Sequence, residues 1–169
     1  PPLFRSSAAS DVYERQISDI FPFHASVSAE VVGDSVEEML EMADDYIEIG
    51  PNITIKVPLT PEGLKVCKEL SDDDVAVNVT LCFSTAQAIL AAKAGAAYVS
   101  PFVGRVYDQS FDGLKLIEEI TDVYATHKQK TEVLAASIRD VHQVASCFRV
   151  GADICTCLLY TSPSPRDWL

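Results

Sequence analysis

A lysine inside an aliphatic run is the residue here whose type and place most suggest covalent chemistry. Lys56 lies in ITIKVPL, with isoleucine on one side and valine on the other. An ammonium group in an apolar surround is costly and tends to shed its proton. A neutral lysine amine is the nucleophile that condenses with ketones to form a Schiff base. A lysine at a strand edge whose long stem reaches solvent gives the same sequence pattern. Other polar residues set in apolar runs narrow the choice. They are Glu30 in SVSAEVV, Asn78 and Thr80 in VAVNVTLCF, Ser100 in AAYVSPFV and Ser137 in TEVLAASI. Arg105 and Arg139 each follow such a run by a few residues. Arginine holds phosphate through paired hydrogen bonds, although a solvated surface arginine is as common.

The runs that carry these residues alternate with helical patterns. Strands are predicted at 26–32, 52–59, 75–83, 96–103, 131–138 and 152–156. Helices are predicted at 35–49, 61–70, 84–95, 111–127 and 139–151. In the first helix Val36, Leu40, Ala43 and Ile47 share a face at helical spacing. Gly50 and Pro51 stop it, Thr60 with Pro61 starts the next, Ser84 caps the third and Gly95 ends it. Strands joined by helical crossovers run parallel, and near-continuous apolar strands suit a sheet buried on both faces. The repeat fits either a (β/α)8 barrel or a doubly wound sheet. No glycine-rich phosphate loop follows a strand, which weakens the dinucleotide-binding version. In a barrel, catalytic groups gather at the C-terminal ends of the strands. One or more polar residues on each of five consecutive strands is a pattern of that kind. A full barrel takes about 250 residues, or ~200 at the short end, so 169 residues make an incomplete one. The two arginines are expected on loops over the barrel mouth.

Composition excludes several partners. The net charge is −12, which repels nucleic acid and anionic membranes. No apolar run approaches the ~18 residues of a membrane span, and the N-terminus lacks the apolar segment of a signal peptide. The five cysteines are Cys67, Cys82, Cys147, Cys155 and Cys157, and the CTC pair is too tightly spaced for a usual zinc knuckle. All five read as reduced thiols of a cytoplasmic protein. Residues 1–157 are expected to form the folded domain. The last twelve, LLYTSPSPRDWL, break the alternation with proline, serine and threonine, so 158–169 are expected to be a non-native or disordered tail that resembles translated vector sequence.

The segments NITIKVPLTPEGLKVCKEL, VNVTLCFSTAQAILAAKAGAAYVSPFVGR and LAASIR together strongly resemble the transaldolase family, nearest its small branch with fructose 6-phosphate aldolases. The likeness spans about Pro1 to Thr156. It implies an α/β fold, a class I aldolase TIM barrel, incomplete at both ends. It implies that Lys56 is the Schiff-base lysine and that Glu30 and Thr80 hold a catalytic water. Asn78 and Ser100 would line the donor-sugar site, Phe102 would form an aromatic wall, and Arg105, Arg139 and Ser137 would bind phosphate. The implied reaction moves a dihydroxyacetone unit from a ketose phosphate to an aldose phosphate in the non-oxidative pentose phosphate pathway, with no metal and no cofactor. Sugar phosphates are the implied partners, and the complete protein is expected to be a homo-oligomer. Glutamate at position 30 and serine at position 100 lean towards transaldolase. The alternatives are a fructose 6-phosphate or dihydroxyacetone aldolase and, in another class, a non-catalytic α/β binding domain. The family's first-strand acid/base aspartate and its Thr-Thr-Asn-Pro motif have no counterpart in the sequence, so the chain by itself is expected to be nearly inactive. Were it active, Asp153 would be the carboxylate to test as a substitute.

Overall fold

A computed structural model describes residues 26–157. Six strands and six helices alternate: β1 (Val27–Glu30), α1 (Val36–Ile47), β2 (Ile53–Pro58), α2 (Pro61–Asp72), β3 (Val77–Cys82), α3 (Thr85–Lys93), β4 (Tyr98–Pro101), α4 (Val103–Asp108), α5 (Gly113–Thr126), β5 (Glu132–Ile138), α6 (Val141–Arg149) and β6 (Ile154–Cys157). All neighbouring strands pair in parallel, in the order β1-β2-β3-β4-β5-β6. Sequence order and spatial order coincide, as a singly wound barrel requires and a doubly wound sheet does not. The described part is therefore an incomplete (β/α)8 barrel, open between β1 and β6. The residues assigned to the tail, 158–169, and those before Ser26 lie outside the described residues.

Alternation along the strands divides their side chains between two media. One set faces the helices: Ala29 on β1, Ile55 and Val57 on β2, Val77 and Val79 on β3, Val99 on β4, and Val133 and Ala135 on β5. All are at most 1% exposed. They meet Met39, Val66, Cys67, Ala88, Ile117, Ile120 and Cys147 in one continuous core. The other set faces the hollow of the arc and is largely polar.

The helices begin where the chain's short polar residues say they should. Ser35, Thr60, Ser84, Asp112 and Asp140 each accept a hydrogen bond from a backbone N–H of the first turn. Three of these starts share a reciprocal pattern. Glu38, Gln87 and Gln143 reach back to the N–H of the residue before the cap, at 3.1, 2.9 and 2.9 Å. The strand-to-helix corners are thereby tied from both sides, close to the box described for Ser-x-x-Glu starts. Gly95 ends α3 with φ +93°, a conformation that costs other residues strain.

Two expectations need correction. The buried face of α1 is Met39, Ala43 and Tyr46, with Val36, Leu40 and Ile47 only partly covered. The stripe at Met39, Ala43 and Tyr46, spaced four and three residues apart, is the one that lies against the core. The strand expected at 96–103 ends at Pro101, and Val103 already belongs to α4. Val103, Gly104 and Val106 are buried under the turn of α4, so apolar residues that read as strand belong to a helix. Cys67, Cys82 and Cys147 are buried thiols and Cys155 is half-buried. Burial pushes the first three up, to about 12, 11 and 12.

Candidate active site

The hollow of the arc is a cleft of about 720 Å³. Lys56, Asn78, Thr80, Ser100, Phe102, Arg105, Ser137 and Arg139, all singled out from the sequence, line it. Parallel register sets them side by side: Glu30 opposite Lys56, Lys56 opposite Asn78, and Thr80 one step further along β3, opposite Pro58.

The surround of Lys56 differs from the sequence expectation. Its aliphatic neighbours point to the other face of the strand, and its Nζ donates to Glu30 Oε2 at 2.9 Å. The lysine side chain is 27% exposed and the glutamate 44%. The amine thus sits in a polar, partly wetted position with a carboxylate as partner, because alternation hides isoleucine and valine from it. Glu30, expected with Thr80 to hold a water, is bonded to Lys56. Thr80 is fully buried, and its Oγ1 has no hydrogen-bond partner among the described residues. A buried hydroxyl without a partner costs about 1–3 kcal/mol, so its place in the cleft calls for one.

Ser100 Oγ donates to Asn78 Oδ1 at 2.7 Å, and both residues are almost fully buried. With its carbonyl occupied, the Asn78 amide has its N–H donors left for a ligand, and the Ser100 oxygen keeps its lone pairs. Phe102 packs edge-on against Phe83, ring centres 5.6 Å apart, which fixes the wall of the cleft.

Both strands that flank β4 leave regular geometry at their C-terminal ends. The register shifts between Val79 and Cys82, and again between Ala135 and Ile138. At each irregularity a non-glycine residue takes a left-handed conformation, Leu81 with φ 61° and Ser137 with φ 60°. Such strain persists where the surroundings over-determine it, and bulges re-aim the side chains beside them. Here they turn the ends of β3 and β5 beside Thr80 and Arg139.

The two arginines were expected on loops. Arg139 does follow β5 directly, but Arg105 stands on α4. Arg139 Nη2 donates to Asp108 Oδ2 at 2.6 Å, whereas the Arg105 side chain makes no hydrogen bond or ion pair among the described residues. Asp153 is not at this site. Its carboxylate accepts from the Val133 N–H at 2.8 Å, where β5 and β6 begin, and it borders a separate hollow at that opposite end. Sequence reasoning also passed over Ser28 and Thr156, which line the cleft, and Asp108. Ser28 was within reach, because it precedes Glu30 by two and so shares its face; Asp108 carried no signal, lying in a helix read as strand and loop.

The Transaldolase/Fructose-6-phosphate aldolase family matches residues 8–161. A probable transaldolase of Cereibacter sphaeroides is 54% identical over 142 residues, 84% of this chain and 64% of the relative. One of Paracoccus denitrificans is 50% identical over the same shares, and one of a Ruegeria species is 49% identical over 92% of this chain and 71% of the relative. The chain spans roughly three fifths to seven tenths of the length of these curated relatives. Among solved structures, a mandelate oxidase superposes with a TM-score of 0.64 at 15% identity, covering 85% of this chain and 52% of the other, a likeness of fold alone. On the family match and the identity of its relatives, the chain belongs to the transaldolase/fructose-6-phosphate aldolase family.

Proposed function

We propose that this chain carries the Schiff-base centre of a transaldolase that moves a dihydroxyacetone unit from a ketose phosphate to an aldose phosphate. The observation that carries the reading is the place of Lys56: an amine on the concave face, ion-paired with Glu30 and flanked by the Asn78–Ser100 pair.

The steps follow from that geometry. Glu30 takes a proton from Lys56, and the free amine adds to the ketone carbon, forming a C–N bond while the carbonyl oxygen gains a proton. Glu30 then returns its proton to the carbinolamine hydroxyl, which leaves as water and gives an iminium. The Thr80 hydroxyl, buried beside this point, supports the water. The iminium draws in the electrons of the C3–C4 bond as it breaks, and the C4 hydroxyl gives its proton to the Glu30 carboxylate, free again once the water has left, so that an aldose phosphate departs. The remaining enamine attacks the carbonyl of the acceptor aldose, and hydrolysis frees Lys56. The Asn78 amide and the Ser100 oxygen hold the hydroxyls of the three-carbon unit. Phe102 walls the pocket, and Arg105 and Arg139 with Ser137 hold the phosphate. Sugar phosphates are the proposed partners, and the complete protein is proposed to be a homo-oligomer working in the cytoplasm, which suits its reduced, buried thiols.

The test is borohydride reduction in the presence of fructose 6-phosphate, followed by peptide mapping. The expected adduct is on Lys56. An adduct on Lys65 or Lys68 with Lys56 untouched overturns the assignment, and no adduct at all favours a binding domain. Dependence of product on an added aldose separates transfer from simple aldol cleavage. Among the described residues β1 and β6 are the outer strands, with no strand paired beyond them, and the 169 residues alone are proposed to turn over poorly. Their solubility and transfer rate, measured without additions, check this.

A further inference from the structure

The two arginines at the edge of the cleft are held differently, and the difference lies in a residue outside the cleft lining. Arg105 is unpartnered among the described residues. Arg139 is fixed at both ends: its backbone N–H donates to Gln143 Oε1 at 2.9 Å, and its guanidinium to Asp108 at 2.6 Å. Asp108 stands three residues after Arg105 on α4, so the two side chains are neighbours on the helix surface.

The helix is also locked against the strand end that bears Arg139. A Cβ on Gly104 would lie 2.0 Å from the Ser137 carbonyl oxygen and 2.7 Å from Arg139 Nε. The stem of Arg139 therefore runs across helix backbone where no side chain stands. Phe102, just before the helix, bridges to Ala136 on β5. These contacts make α4 and the end of β5 one rigid corner carrying both guanidinium groups.

Two like charges on one corner repel, and both side chains are exposed. A carboxylate between them offsets the repulsion and orders one stem before any ligand arrives, which lowers the cost of binding. The hydrogen bond to Asp108 uses one N–H of Arg139, so donors of the guanidinium fork remain for an anion.

We propose that Asp108 is a positioning residue, holding the Arg139 guanidinium beside Arg105 so that both converge on one phosphate group. The proposal rests on the reading of the cleft as a sugar-phosphate site. In the intact protein, Asp108→Ala should raise the KM for fructose 6-phosphate about tenfold, the scale of one charge-assisted hydrogen bond, with kcat held. Inhibition by inorganic phosphate should weaken in parallel, and the KM for unphosphorylated dihydroxyacetone should stay put. Asp108→Glu should recover most of the loss. The melting midpoint should hardly move, because both partners are about half exposed. Should the alanine variant fold poorly, Asp108→Asn keeps the shape and removes the charge, and the same readings apply to it. In an Arg139→Ala background the Asp108 change should add nothing.

An unchanged KM, a lower KM (the carboxylate competing with phosphate), or a full additional effect in the Arg139→Ala background overturns the proposal. If Arg105→Ala and Arg139→Ala also fail to distinguish phosphorylated from unphosphorylated substrates, the sugar-phosphate reading falls with it. If those two do distinguish them and Asp108→Ala does not, only the role of Asp108 falls.

Discussion

Lys56 and its neighbours Ile55 and Val57 are adjacent on β2 and live in different media. The two aliphatics have no exposure and pack under the helices, while the lysine is 27% exposed and bonded to a carboxylate. The same division runs along β1, β3 and β4. One face builds a dry core whose work is stability; the other carries polar groups, one of them a fully buried hydroxyl without a partner among the described residues. In a barrel of this kind the two tasks are separated by one residue of sequence, so substitutions one position apart should have unlike consequences.

The sharpest contrast comes from Lys56→Ala. Deleting a covalent nucleophile lowers turnover by roughly a million-fold, and borohydride trapping should vanish. Stability should change by no more than about 0.5 kcal/mol, as for other partly exposed positions. A large drop in melting midpoint would break the division of faces. Ile55→Ala is the mirror experiment: removal of a fully buried isoleucine should cost about 2–5 kcal/mol in denaturant unfolding. The folded fraction should still be trapped on Lys56. Thr80→Val keeps the shape while removing the orphaned hydroxyl. Stability should hold or rise, and turnover should fall about tenfold to a hundredfold, the loss of one hydrogen bond to a charged or reacting group. Unchanged turnover would make Thr80 part of the packing and blur the comparison.

The smallest effect is on the dry face. Cys67 has its ionisation pushed from 9.0 to about 12 by burial. Below pH 9 its thiol is neutral folded and unfolded, and its full contribution is present. As pH rises above 9 the unfolded thiol ionises first, the native state binds more protons, and stability falls until the folded value is reached. The slope is about 1.4 kcal/mol per pH unit for each such thiol. Melting midpoints between pH 8 and 10.5 should therefore decline above 9, and Cys67→Ala should flatten that decline.

The alternation of strands and helices was legible because crossover units punctuate themselves. Thr60 before Pro61, Ser84, and Gly95 at positive φ all act at the positions their chemistry suggests. The polar residues at the strand ends were legible as exceptions to apolar runs. The surround of Lys56 was not, because strand alternation sends its sequence neighbours to the other face, and its partner is Glu30 on the adjacent strand. Nor was α4, whose Val103 and Val106 continue a strand-like pattern and become helical through packing against the end of β5. The bulges at Leu81 and Ser137 left no mark either, since neither residue is a type that favours left-handed backbone.

The alignment of Glu30, Lys56 and Asn78 across three strands has a consequence for how the chain reaches its native pairing. A slip of one residue in β2 would turn Ile55 and Val57 to solvent and drive an ammonium beneath the helices, where a charge has no partner. A similar slip in β1 would do the same to a carboxylate. Misaligned sheets are thus penalised by the residues proposed to perform the reaction, which act as sentries against errors in assembly long before a substrate is met.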